Sequence, residues 1–312
     1  MDENAAAAVD AARLYLAVQA VAGAIWWLLI PLSEQVREYT IGGWNPALLA
    51  IGDLTLFVAA SALTAWRLIR PVAFALVGWT TGITIALGIY ALIQQRAGWG
   101  ALIMVISLVG TVASTLTIWH GRLAVDWFFL GPFRFREAKQ NQPSAHLRNS
   151  VVQLLVFWSF FLVAVPFLLS WIEHRIRIDF DALDRIPNIV GIALFLGASS
   201  LGLWSCLSMA LRGNGTPLPS ATASTLVIVG PYRYVRNPMA VAGAIQTIGV
   251  GLWIGSWTTL LSAVAGALIW NIVIRPSEEA DLADRFGSAY ASYQQTVTCW
   301  VPSFAAVRSR EF

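Results

Sequence analysis

Charge is what this sequence has least of. Asp, Glu, Lys and Arg make up 12% of its 312 residues, about half the share of a soluble domain, which excludes an ordinary water-soluble fold. Lysine occurs once, at Lys139, against nineteen arginines; the bias suggests GC-rich bacterial coding and so a bacterial inner membrane. The two cysteines, Cys206 and Cys299, fall far apart, and no disulfide framework follows from them. The three histidines, His120, His146 and His174, are scattered without metal-ligand spacing, so no metal site is expected. The net charge of +3 comes from arginines at span ends and gives no support for a nucleic-acid partner.

What is abundant is apolar length. Uncharged runs cover 14–33, 71–95, 97–119, 149–172, 186–211 and 237–274, and 47–66 is interrupted only by Asp53. About 20 helical residues cross the hydrocarbon core. The last run is too long for one span and reads as two short helices meeting near Gly251–Trp257, where glycine and interfacial tryptophan suit a reversal. The expectation is an all-α, polytopic integral membrane protein of about eight transmembrane helices, near 14–33, 47–67, 72–94, 100–119, 150–172, 187–211, 238–254 and 258–274. With the N-terminus inside, 15 basic residues lie on inner segments and 5 on outer ones, so both termini are expected in the cytoplasm.

The chain divides near residue 149. Residues 1–149 hold four spans with little chemistry, 150–303 hold the rest, and 304–312 form a tail. The basic stretch 120–150 contains FRFREAK, a cytoplasmic loop or a short amphipathic piece on the inner leaflet. Asp53 lies about two turns from the outer end of its span, where an ionisable group suggests function; Ser61, Thr55 or water are its expected partners.

Two segments carry chemistry. In GPYRYVRNP, residues 230–238, Gly230-Pro231 marks a turn, Asn237 suits an N-cap and Pro238 a first helical turn. In RPSEEADLADRFGSAYASY, residues 275–293, Ser277 is the expected cap of a helix over 277–296 with Glu278 and Glu279 in its first turn. On that helix Glu278, Leu282, Phe286 and Tyr290 recur at i+4, with Tyr293 three residues on, so they share one face. The intervening 212–236, rich in glycine, proline and hydroxyls, is expected to fold back against the helices and form a cytoplasmic cavity. Guanidinium, phenol and carboxylate walls suit a zwitterionic, aromatic-bearing ligand.

In combination, GNGTPLPS, LVIVGPYRYVRNP, the hydrophobic hairpin, EEADLADRFGSAYASY and WVP resemble the isoprenylcysteine carboxyl methyltransferase family, which takes in bacterial phospholipid-methyltransferase-like proteins. The resemblance covers roughly 151–303. It implies a membrane methyltransferase that uses S-adenosylmethionine and acts on a lipophilic acceptor. It further implies cofactor contacts at Gly213, Gly215, Tyr232, Arg236, Asn237, Glu278, Glu279 and Tyr290, with Gly230, Pro231 and Pro238 shaping the loop. Of these, Arg236 is expected to orient a carboxylate acceptor, and Glu278 or Glu279 to take a proton from an amine or hydroxyl one. Three positions depart from the family pattern: Asn237 replaces the usual His, Ala240 the usual Tyr, and Thr298-Cys299 the usual Pro-Arg. A membrane reductase of the sterol-reductase type using NADPH, or a non-catalytic scaffold, are the alternatives.

Overall fold

The computed structural model describes residues 3–122, 143–178, 183, 185–213 and 224–303. It is helical, without a strand among the described residues. The helices are α1 (Glu3–Leu29), α2 (Glu34–Thr40), α3 (Pro46–Trp66), α4 (Arg70–Gln94), α5 (Gly98–His120), α6 (143–175), α7 (Asn188–Arg212), α8 (Pro238–Ile254) and α9 (Trp257–Thr296). Seven are long and apolar enough to cross a membrane, and α8 is a shorter apolar helix. The reversal between α8 and α9 falls at Gly255, in a left-handed conformation. Ser256 then caps α9 by accepting from the Thr259 N–H. The short α2, capped by Ser33, was not foreseen.

By contact the chain forms two units: residues 1–125 with 172–179, and residues 126–171 with 180–312. In the first, Leu16, Phe57, Leu76 and Ile118 form one apolar core. Leu87, Ala101, Ile176 and Ile178 form another. Hydrocarbon offers no hydrogen-bond partner, so polar groups on these helices pair with one another. Gln19 Nε2 donates to Ser61 Oγ at 3.0 Å and Thr111 Oγ1 at 2.9 Å. The Asp53 carboxylate accepts from Trp27 Nε1 at 2.7 Å and Trp79 Nε1 at 3.0 Å. Two indoles thus hold Asp53 in place of the expected hydroxyls: Ser61 is engaged by Gln19, and Thr55 bonds back to the Ile51 carbonyl. Asp53 is a structural tie.

In the second unit α7 and α8 touch backbone to backbone. A Cβ on Gly249 would stand 2.7 Å from the Phe195 nitrogen and 2.8 Å from the Gly191 carbonyl oxygen. Such small-residue contacts let helices approach in lipid, and the approach brings Gln246 Nε2 to Ser199 Oγ at 3.0 Å. Gly249→Val is expected to force the pair apart and destabilise the fold by about 1–3 kcal/mol. Denaturant titration of the protein in detergent measures this; a change under about 0.5 kcal/mol would show that the contact yields freely.

α9 differs from expectation. The sequence suggested a break before a helix capped by Ser277, but the helix runs on from Trp257, and the residue before Arg275 gives no side-chain cap. Pro276 is tolerated because a π-turn, Trp270–Ile274, precedes it. The wider i→i+5 pattern makes room for the ring and the missing N–H. Pro166 in α6 likewise follows a π-turn, Ser159–Ala164. From Trp257 to the break at Gly287 α9 runs about 45 Å, half as long again as the hydrocarbon is thick. Its spanning part is the uncharged 257–274; from Arg275 it carries six charges by Arg285 and projects beyond the membrane. At Gly287 the backbone leaves helical geometry (φ 50°, ψ −125°), a region open only to glycine.

Candidate functional site

The 230–238 turn and the projecting end of α9 meet. Gly230 has φ +60°, and a Cβ there would lie 2.4 Å from Ser208 Oγ and 3.1 Å from Trp204 Nε1. Glycine is therefore required twice over, by conformation and by space. It opens a 3₁₀ turn, Gly230–Arg233, that buries Pro231 and Tyr232. Asn237 caps α8 as expected: Oδ1 accepts from the Ala240 N–H at 3.0 Å, and Pro238 follows in the first turn. The same amide donates from Nδ2 to Glu278 Oε2 at 3.1 Å. The residue in place of the family's His thus makes two bonds at once without itself titrating.

Arg236 closes the other half. Its Nη2 donates to Glu279 Oε1 at 2.9 Å, and its Nη1 to the carbonyls of Gln294 at 2.8 Å and Val297 at 2.9 Å. Glu279 also accepts from Arg275 Nε at 3.1 Å and from Gln294 Nε2 at 3.1 Å. The segment after α9 is fastened back as well. The Arg236 N–H reaches the Thr298 carbonyl at 3.0 Å, and the Ser303 N–H reaches Tyr234 at 2.8 Å. Trp300 Nε1 donates to Asn271 Oδ1, which Arg275 Nη1 shares, both at 2.9 Å. Arg236 is therefore engaged by the protein, with only its buried Nε unpartnered.

The two carboxylates differ. Glu279 accepts from three donors, whereas Glu278 accepts from Asn237. Glu278 keeps some open surface but is ringed by protein. Burial first, then Glu279 and Asp281, push its carboxyl up to about 7, against the lowering effect of Asn237. Tyr232 faces it. Its hydroxyl is buried with no partner, and burial, then Glu278, Tyr293 and Cys206, hold the phenol protonated well above the usual range. Burial also raises the phenols of Tyr290 and Tyr293. Tyr293 donates to the Tyr232 carbonyl at 2.6 Å.

Tyr290, Tyr293 and Val297 form a cluster with Leu226 and Ile228 of the linker and with Leu282 and Phe286. The expected stripe does pack against the linker. Its members meet across the Gly287 break, however, and not along one uninterrupted helical face. Gly213 lies apart from the turn in sequence and ends α7; its carbonyl accepts from the Ser224 N–H at 2.9 Å, fixing the point where the linker returns. Gly215, FRFREAK and 214–223 of the linker expected to form a cavity lie outside the described residues. Sequence reasoning missed Asn271, Arg275, Gln294 and Trp300. Arg275–Glu279 had a signal, the i,i+4 spacing of opposite charges; Trp300 stood in the WVP of the family resemblance without an assigned role, and Gln294 had no signal.

Residues 186–289 match the family model described as Phospholipid methyltransferase. This segment is a domain of that family. It holds Tyr232, Arg236, Asn237, Glu278 and Glu279 together, and it supports a membrane methyltransferase acting on lipids. Other similarities are partial. The chain is 29% identical over 163 residues to NADH-ubiquinone oxidoreductase chain 5 of Hypocrea jecorina, taking in 47% of this chain and 22% of that one. The corresponding chain of Cryphonectria parasitica is 29% identical over 157 residues, covering 47% and 23%. The chain thus spans about a fifth of the length of the curated relatives it matches. No solved structure matches it. The methyltransferase-family domain is therefore the similarity that coincides with the polar cluster.

Proposed function

We propose that the protein is an S-adenosylmethionine-dependent methyltransferase whose acceptor is a lipophilic molecule drawn from the membrane. The observation that carries this reading is the enclosed Glu278 carboxylate, facing the unpartnered Tyr232 hydroxyl inside the family-matched segment. Both groups lack a full set of partners, and a buried phenol without one is costly. An ammonium or ribose hydroxyl of the cofactor fits that need. S-adenosylmethionine supplies an electrophilic methyl on a sulfonium centre. Glu278 holds the cationic end, Asn237 fixes the carboxylate, and Tyr232 offers a hydroxyl from the opposite wall. Arg236 and Glu279 act as positioning residues that keep 294–303 against the turn. Alignment of acceptor with methyl then supplies several kcal/mol of the rate gain.

In this reading 150–303 carry the chemistry, 1–149 are accessory, and the basic-residue bias places both termini in the cytoplasm. Calorimetry on the purified 312-residue chain in detergent tests the cofactor. Micromolar binding of S-adenosylhomocysteine and none of NADPH is expected. NADPH binding alone would move the reading to a reductase, and binding of neither would remove the enzyme claim. Labelled-methyl transfer into lipid extracts then sorts the acceptor: label released by mild alkali marks a methyl ester, retained label an amine or ether.

A further inference from the structure

The first unit holds a feature that the methyl-transfer reading does not use. A cavity of about 400 Å³ lies between the start of α4 and the end of α5, lined by Phe74, Val77, Val112, Thr115, Trp119 and His120 among others. Its wall is almost wholly apolar apart from Thr115 and His120. Thr115, only 6% exposed, has a hydroxyl without a partner. Beside the cavity, the Arg70 guanidinium stands 4.9 Å from the ring centroid of the lining residue Trp119, and Phe74 meets the same indole edge-on at 5.5 Å. Trp119 thus holds Arg70 next to the cavity.

No carboxylate among the described residues pairs with Arg70. From Leu54 to Val125 the sequence contains no Asp or Glu at all, while Arg67, Arg70, His120 and Arg122 crowd this end of the α3–α5 helices. α1 begins at the same end and brings Glu3, Asp10 and Arg13, a net of one negative charge against Arg67, Arg70 and Arg122. The end is left with a net positive rim over an apolar groove.

We infer that this groove binds one anionic phospholipid, with its phosphate on Arg70, its glycerol ester at Thr115 and an acyl chain along the cavity. The depth agrees: Thr115 lies four residues, about 6 Å, below Trp119 on the helix. A glycerol ester lies below its phosphate in the same sense. Inside a bilayer the acyl chain gains little by leaving other lipid, so selectivity must come from the polar end. A basic pocket at a helix end selects anionic headgroups. The ester carbonyl also gives Thr115 the acceptor that hydrocarbon withholds. This inference stands whether or not the second unit transfers methyl groups.

Native mass spectrometry of the 312-residue chain in detergent tests it, with phosphatidylglycerol and phosphatidylcholine of matched chains supplied in equal amounts. One retained phosphatidylglycerol per protein, preferred at least tenfold, is expected. Arg70→Gln, an exposed position with no other partner among the described residues, should reduce that preference below threefold. Val112→Trp, which fills the groove, should abolish retention of that lipid. Because Val112→Trp also tests packing, Arg70→Gln decides the matter if that variant does not fold. Equal retention of the two lipids, or an unchanged preference in Arg70→Gln, would overturn the proposal. So would displacement by glycerol 3-phosphate at concentrations comparable to the lipid, which would make the occupant a free phosphate.

Discussion

Glu278→Gln should make the ligand-free protein more stable at pH 8 and at the same time unable to bind S-adenosylhomocysteine. The two effects share one cause. Burial and the neighbouring Glu279 raise the Glu278 carboxyl from 4.5 to about 7. The folded state therefore holds this proton more tightly than the unfolded chain does. Between pH 4.5 and about 7 the unfolded chain loses the proton first, and stability falls as pH rises through that window. Above 7 the decline levels off, having cost no more than about 3 kcal/mol. Glutamine keeps the shape and still accepts from Asn237 Nδ2, but carries no charge to enclose. Its unfolding free energy should lack the slope and exceed that of the parent protein at pH 8 by up to that amount.

Ligand binding has the opposite sign. A cationic ammonium needs the ionised Glu278, so affinity should rise through pH 7 and be roughly tenfold weaker at pH 6 than at its plateau. In Glu278→Gln both the affinity and its pH dependence should disappear. Denaturation and calorimetry at pH 5, 6, 7 and 8 on the two proteins read out all of this. A variant that binds S-adenosylhomocysteine as tightly as its parent would show that Glu278 does not hold the cofactor. A retained stability slope would show that another group titrates. A site residue whose neutralisation strengthens the fold is a sign that the fold gives up stability for binding.

The spans were legible because hydrocarbon imposes one condition on every crossing segment, and uncharged runs of about 20 residues meet it visibly. The α8–α9 reversal and the Asn237 cap were legible for similarly local reasons: a residue's own side chain or backbone decides the outcome. The fate of Pro276 was not. A proline normally ends a helix from its first turn, and here a π-turn formed by ordinary apolar residues lets the helix continue. Nothing in Trp270–Ile274 announces that turn. The site was legible as an inventory and not as a wiring diagram. Arg236, Asn237, Glu278 and Glu279 were named, but which arginine meets which carboxylate depends on a contact across 43 residues. The reading of Arg236 as an orienter of substrate carboxylate assumed a free guanidinium. Gln294 and the carbonyl of Val297 occupy it, and neither carries a sequence signal for that role. The partners of Asp53 were misread for a related reason, since tryptophans 26 residues away on either side supply its donors.

Arg236→Ala should cost about 3–5 kcal/mol, the range for breaking a buried ion pair from one side, and should loosen the segment after α9 before anything else. The side chain is only 10% exposed, so its contacts are not discounted by solvent as surface pairs are. Glu279 would keep Arg275 and Gln294 as donors, which limits the loss on that side. The carbonyls of Gln294 and Val297 would lose the Nη1 donor they share, at the end of a helix where no following N–H stands ready to replace it. Arg236→Lys should recover less than half, because one ammonium cannot reproduce the fork that reaches a carboxylate and two carbonyls together. Hydrogen exchange distinguishes this from a role on substrate. Protection over 297–303, tied to the turn through Thr298 and Ser303, should fall at least tenfold in Arg236→Ala, with the α7–α8 pair unaffected. A variant that loses methyl transfer while keeping both its stability and that protection would return Arg236 to the acceptor. A variant that loses all three would show Arg236 holding the wall of the site in place, with Glu278 left as the charged group that meets the ligand.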